Sequence, residues 1–162
     1  IALQKRYANL IITRTFSKAY GLGGLRIGYS ISDPTIADML NRVRQPFNVT
    51  SLSLAAAQAA LDDEAYLAES VALNDAGMQQ LESGFTHLGL NYIKSAANFI
   101  TFETPCLASE MNQQLLQLGV IVRPVANYGL VSHLRVSIGL EDENTQFLQA
   151  LTQILETSKA DK

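Results

Sequence analysis

Residues 11–29, IITRTFSKAYGLGGLRIGY, decide how the rest of the chain is read. Leu10-Ile11-Ile12 has the apolar, β-branched character of a short buried strand, Leu10 to Arg14. It leads into a hydroxyl-rich turn, Thr13 to Ser17, and then to Lys18. Gly21, Gly23 and Gly24 follow, and Arg26 stands eight positions past the lysine. A second apolar run, Leu25 to Ile31, reads as another strand. The unit thus holds an amine at a strand end, beside the hydroxyls of Thr15 and Ser17, backbone N–H groups and a guanidinium. Those donors suit a phosphate, and an amine beside them suits condensation with a phosphorylated aldehyde cofactor. The glycines let the backbone turn tightly and approach closely.

On its own the stretch leaves a plainer reading open, because a lone lysine after a strand is ordinarily a solvated side chain. Two other phosphate motifs do not fit. The spacing G-x-G-G-x-R, followed by a strand pattern, is not the dinucleotide fingerprint, and the lysine precedes the glycines, unlike the G-x-x-x-x-G-K loop.

Further stretches make the pattern specific. Together with Arg44-Gln45-Pro46-Phe47-Asn48-Val49, Ala97-Asn98-Phe99, Val120-Ile121-Val122-Arg123-Pro124 and Leu134-Arg135-Val136-Ser137-Ile138-Gly139, the segment resembles the fold-type I pyridoxal-phosphate aminotransferases, in particular the histidinol-phosphate aminotransferase family. The resemblance runs in order over nearly the whole chain. It implies that Lys18 is both the covalent anchor of pyridoxal 5'-phosphate and the general acid/base. Thr15, Ser17 and Arg26 match the family positions that serve the cofactor phosphate. Arg123 and Arg135 match the arginines that hold the substrate phosphate or carboxylate. The implied substrates are histidinol phosphate and imidazole-acetol phosphate, with glutamate and 2-oxoglutarate, in histidine biosynthesis. An aromatic-amino-acid aminotransferase or a phospho-threonine decarboxylase relative stays open within the family. Outside it, the rival is an inactive binding or dimerisation domain.

The chain starts at Ile1 without Met. Set beside the resemblance, it is expected to be the C-terminal part of a longer cytoplasmic homodimer. The family's aspartate for the pyridine nitrogen and its ring-stacking aromatic lie upstream of the matched region, so the chain alone is expected to bind the cofactor weakly.

Apolar residues make up 48% of the 162, charged residues 17%, and the net charge is −3. That is a globular balance, and no basic block points to nucleic acid. The single cysteine, Cys106, fits a reducing compartment and excludes an internal disulfide. No apolar run has the length of a membrane span, and no signal-peptide pattern precedes the first strand. His87 and His133 have no partners at metal-ligand spacing, so no metal is expected. His133, two residues before Arg135, is read as structural before it is read as lining a substrate mouth. Asn98 and Tyr20 are read as a turn residue and a packing residue.

The remaining pattern is helical, then mixed. Residues 1–8 end a helix. Asp33-Pro34 starts another that runs to Arg44, and Ser51 or Ser53 caps an alanine-rich helix to Leu61. Asp62-Asp63 opens a long amphipathic stretch to Leu88, interrupted by Gly77 and Gly84 at a cost of roughly 1 kcal/mol each against alanine. Short strands follow at Tyr92-Ile93, 98–103, 120–123 and 134–138, with a helix over 108–118 ended by Gly119 and a last helix from Asp142 or Glu143. The expected fold class is therefore α/β. A remnant of the large cofactor domain (1–61) and a connecting helix (62–89) precede a small C-terminal α/β or α+β domain (90–162).

Overall fold

A computed structural model describes residues 2–160; Ile1, the first residue of the helix end expected over 1–8, and Lys162, the expected end of the small domain, lie outside them. The chain forms two compact units, one ending at Val71 and the other starting at Ala72. The division falls inside a helix, ten residues past the expected end of the large-domain part at Leu61.

In the first unit, helix α1 (Ala2–Arg6) precedes an antiparallel pair, β1 (Ile12–Thr15) and β2 (Gly28–Ile31), in the register Ile12↔Ile31 to Thr15↔Gly28. Two expectations change here. The second strand begins at Gly28 rather than Leu25, because Gly23–Leu25 forms a 3-10 turn that Arg26 ends in the left-handed conformation, φ 51°. The first strand is not buried: Thr13, Arg14 and Thr15 are exposed, since a two-stranded pair has no second layer to pack on. Helix α2 (Pro34–Val43) starts where Asp33 accepts a hydrogen bond from the Thr35 N–H at 2.9 Å, with proline at its first position. Helix α3 (Ser51–Asp62) is capped by Thr50, not by Ser51 or Ser53; the Thr50 hydroxyl accepts from Ser53 N–H at 3.1 Å. Phe16, Ile27 and Ala57 form the buried centre of this unit, with Tyr20, Leu22 and Val49 packed around them.

Helix α4 (Glu64–Leu88) is continuous, and the Asp63 carboxylate takes the Tyr66 N–H at 3.0 Å at its start. From Ala72 onward the chain builds an antiparallel four-stranded sheet in the order β3 (Tyr92–Ile93), β4 (Phe99–Glu103), β6 (His133–Ser137), β5 (Arg123–Pro124). The alternation of strands and helices is thus resolved as α+β, with every strand pairing antiparallel. Pro124 lies on the edge strand, where its missing N–H breaks no ladder. One face of the sheet, Ile100, Phe102, Leu134 and Val136, is buried against α4, α5 (Ala108–Gln117) and α6 (Glu141–Ala160). Phe85 stacks on Phe102 at 4.8 Å between ring centroids, and Phe147 meets both edge-on at 6.0 and 5.8 Å. By the period-two alternation of strands, the other face carries Phe99, Thr101, Arg135 and Arg123. No described helix is long and apolar enough to cross a membrane.

Candidate active site

Lys18 lies in the connection between β1 and β2, and the backbone there is closed on itself. The Phe16 N–H donates to Ile27 O at 3.2 Å and the Leu22 N–H donates to Phe16 O at 2.9 Å. Those bonds put Ser17 and Arg26 on either side of one backbone bridge. The turn carrying the lysine is tight: the Gly21 N–H donates to Lys18 O at 2.8 Å, with Gly21 at φ 70°. A Cβ on Gly21 would meet the Tyr66 hydroxyl at 2.6 Å, so the tyrosine ring covers the turn. Below it, Phe16 and Ile27 enter the small core, and the Ser53 hydroxyl donates to Leu25 O at 3.0 Å, tying the loop to α3.

The donors are arranged on this frame. The Thr15 Oγ1 accepts from the Ser17 N–H at 3.1 Å and keeps its own proton to give. A Cβ on Gly23 would stand 3.3 Å from Ser17 O, so the glycine turn folds back on the serine. Arg26 reaches over the same turn, one Nη1 donating to Gly23 O at 2.8 Å. Lys18 and Arg26 are both exposed. Residues 1–32 contain no Asp or Glu, while Lys5, Arg6, Arg14, Lys18 and Arg26 fall within them. The loop therefore offers an amine, two hydroxyls and a guanidinium with no carboxylate in that stretch. This donor set fits an anionic group that also carries an aldehyde, as pyridoxal phosphate does. Tyr20 packs on Phe16 at 4.9 Å between ring centroids, the packing role expected for it.

The other two candidates lie in the second unit. Arg123 and Arg135 are Cα partners across β5 and β6, so both side chains leave the same face of the sheet as direct neighbours. Like charges so placed repel, and no carboxylate bridges them among the ion pairs of the described residues. Aromatic rings hold them instead. The Arg135 guanidinium lies 4.5 Å over the Phe99 ring. Arg123 lies 5.9 Å from the Tyr128 ring centroid and donates from Nη2 to its hydroxyl at 3.3 Å. The loop structure brings Thr15, Ser17, Lys18 and Arg26 together; the sheet register brings Arg123 and Arg135 together. Phe99, which the sequence reading quotes only within a matching stretch, and Tyr128, which it leaves out, were given no role, since only the register and the turn after β5 put them beside an arginine.

His133 pairs with Glu103 across β4 and β6 and is partly buried, with no hydrogen-bond partner for its buried Nδ1. Asn98 serves through its backbone, its carbonyl accepting from Ile138 N–H at 2.9 Å. No group of His, Cys, Asp and Glu among the described residues is placed to hold a metal ion.

Comparison with known proteins gives the family. The family model for aminotransferase class I and II matches residues 1–151. A histidinol-phosphate aminotransferase of Pseudomonas fluorescens is 62% identical over 149 residues, 92% of this chain and 40% of that protein. One of Nitrosococcus oceani is 55% identical over 156 residues, 96% of this chain and 42% of that protein. The crystal structure of histidinol-phosphate aminotransferase from Sinorhizobium meliloti in complex with pyridoxal-5'-phosphate is 33% identical, with a TM-score of 0.82 over 93% of this chain and 42% of that one. The chain spans about 40% of the length of the curated relatives it matches. On the family match and the fold together, this chain belongs to the class I and II aminotransferases.

Proposed function

We propose that this chain carries the cofactor lysine and the substrate-anion arginines of a pyridoxal-phosphate-dependent aminotransferase. It would exchange an amino group between glutamate and imidazole-acetol phosphate, giving 2-oxoglutarate and histidinol phosphate in histidine biosynthesis. The names of the similar proteins support the reaction class. One observation carries the reading: Lys18 stands in a closed turn with Thr15, Ser17 and Arg26, in a stretch free of carboxylates.

The residues divide the work. Pyridoxal phosphate, when bound, supplies the aldehyde and the electron-withdrawing ring that make the substrate's Cα–H acidic. Lys18 would be the residue that anchors the cofactor's aldehyde end, and its Nζ would be the group that holds and moves a proton at the substrate carbon. Arg26, Thr15 and Ser17 hold the phosphate tail. Arg123 and Arg135 hold the anionic end of the substrate, phosphate in one half-reaction and carboxylate in the other.

Residues 1–61 are assigned to the later part of the large cofactor domain, 62–89 to a connecting helix and 90–162 to the small C-terminal domain. The order of the motifs along the family resemblance supports that division, and the same resemblance supports a cytoplasmic homodimer. Reduction with borohydride in the presence of pyridoxal phosphate, followed by peptide mapping, tests the core of the proposal. Label on Lys18 is expected; label spread over other lysines, or none, overturns it. Turnover of histidinol phosphate against phenylalanine then separates this substrate from the aromatic one.

A further inference from the structure

Phe99 and Tyr128 hold the two arginines in different ways. Phe99 is the Cα partner of Ser137, one diagonal step from Arg135, and with no polar atom it acts on that guanidinium by stacking alone. Tyr128 presents both a ring and a hydroxyl. That hydroxyl accepts from Arg123 Nη2, and a hydroxyl that accepts still has its own proton to give. The side chain is 62% exposed, so the proton is open to a ligand.

The turn that carries Tyr128 is set by the fold. Val125, 3% exposed, anchors it in the core. A 3-10 turn over Ala126–Tyr128 follows, ended by Gly129 at φ 80° with its N–H on Ala126 O at 3.0 Å. Tyr128 is thereby folded back onto Arg123 from five residues away.

We propose that Tyr128 is a specificity-determining contact of the Arg123/Arg135 anion site, donating its hydroxyl proton to the third oxygen of a phosphate monoester. This rests on the reading of the two arginines as the substrate-anion site. Two guanidinium forks saturate the two oxygens of a carboxylate. A phosphate monoester brings a third terminal oxygen out of that plane, and Tyr128 is the neutral donor beside it. The hydroxyl therefore favours the phosphorylated substrate over the dicarboxylate that must use the same arginines.

Calorimetric titration of the protein saturated with pyridoxal phosphate, so that Arg26 is already occupied, tests this with inorganic phosphate and with succinate as probes. Tyr128→Phe keeps the ring and removes the hydroxyl. It is expected to raise the Kd for phosphate about five- to tenfold and to leave that for succinate within about twofold. Equal weakening of both anions would mean that Tyr128 only positions Arg123, and no change in either would mean that it does nothing; each result overturns the proposal. Arg135→Leu is the separate control on the underlying reading and is expected to weaken both anions. If it leaves both unchanged, the arginine pair is not the anion site, whatever Tyr128→Phe does.

Discussion

Arg26 has a backbone conformation that an L-residue other than glycine adopts at a cost, φ 51° and ψ 49°, on the order of 1 kcal/mol. The neighbouring bonds that hold it there are the Phe16–Ile27 bridge and its own side-chain bond to Gly23 O. A residue kept in such a conformation in a chain with glycines on hand is the kind of strain that functional sites retain. Arg26→Gly separates fold from function. Relief of the left-handed strain offsets the greater freedom of glycine in the unfolded chain, so the thermal midpoint is expected to stay the same or rise, within about 1 kcal/mol. On the proposed role of Arg26 at the cofactor phosphate, its loss is expected to weaken pyridoxal phosphate by about tenfold or more in a spectral titration. Lost stability with undiminished cofactor affinity would assign Arg26 to the fold instead. The donors around Lys18 were legible in the sequence because they fall within one hairpin, Thr15 to Arg26, so only the pairing of its two neighbouring strands is needed to bring them together. The strain at Arg26 was not, because Leu25 to Ile31 has the composition of one strand and only the closed loop shows where it begins.

Local signals also carried the helices. Asp33 and Asp63 cap where they were expected, because a cap is written within three residues of the bond it makes. The glycines of α4 are the opposite case. From sequence, Gly77 and Gly84 are interruptions that alanine would improve by roughly 1 kcal/mol each. In the fold Gly77 is buried, and a Cβ there would stand 2.5 Å from Ile138 Cγ2, 2.9 Å from Asn144 Nδ2 and 3.1 Å from Gly139 O. Asn144, 2% exposed, is fully engaged: it donates to Gln80 Oε1 and Gly139 O and accepts from Gly139 N–H, each at 3.0 Å. A methyl group would push into that network, and a backbone carbonyl cannot step aside. Overpacking of about 1–3 kcal/mol then outweighs the gain in helix propensity. Gly77→Ala is therefore expected to destabilise by about 1–2 kcal/mol in urea denaturation, with sign opposite to the helix-propensity scale. At Gly84 the close atoms are the Leu148 methyls, the movable end of a partly buried side chain, so Gly84→Ala should fall within about 1 kcal/mol of the parent. Equal effects at the two sites would refute this account of α4. Helix periodicity shows which residues share a face; which neighbour presses on that face depends on where the chain returns after β6 and in α6, 61 residues later for Gly77 and Ile138.

The two units differ in how much apolar surface each removes from water. From Ala72 onward, Leu81, Phe85, Ile100, Phe102, Leu115, Leu134 and Leu151 are all 0% exposed in one cluster fed by the sheet and three helices. Up to Val71, the buried centre is Phe16, Ile27 and Ala57, while Val43 is 80% exposed, Leu52 77% and Phe47 96% with φ 56°. Burial stabilises at roughly 25 cal/mol per Å² of apolar surface, and chain entropy opposes it at about 1–2 kcal/mol per ordered residue. A unit with so little inside lies close to balance by itself. The amides of β4 and β6 in the 162-residue chain are thus expected to exchange only through global opening, and those of β1 and β2 orders of magnitude faster by local opening. Because β1 and β2 frame the Lys18 loop, the same opening competes with pyridoxal phosphate for the loop's ordered form and lowers its apparent affinity. The exposed apolar side chains should also bind an apolar dye, and replacing Val43 and Phe47 together by lysine should remove much of that signal while leaving the slow amides of β4 and β6 unchanged. Protection of β1 and β2 equal to that of β4 and β6 would show that the first unit is as stable as the second.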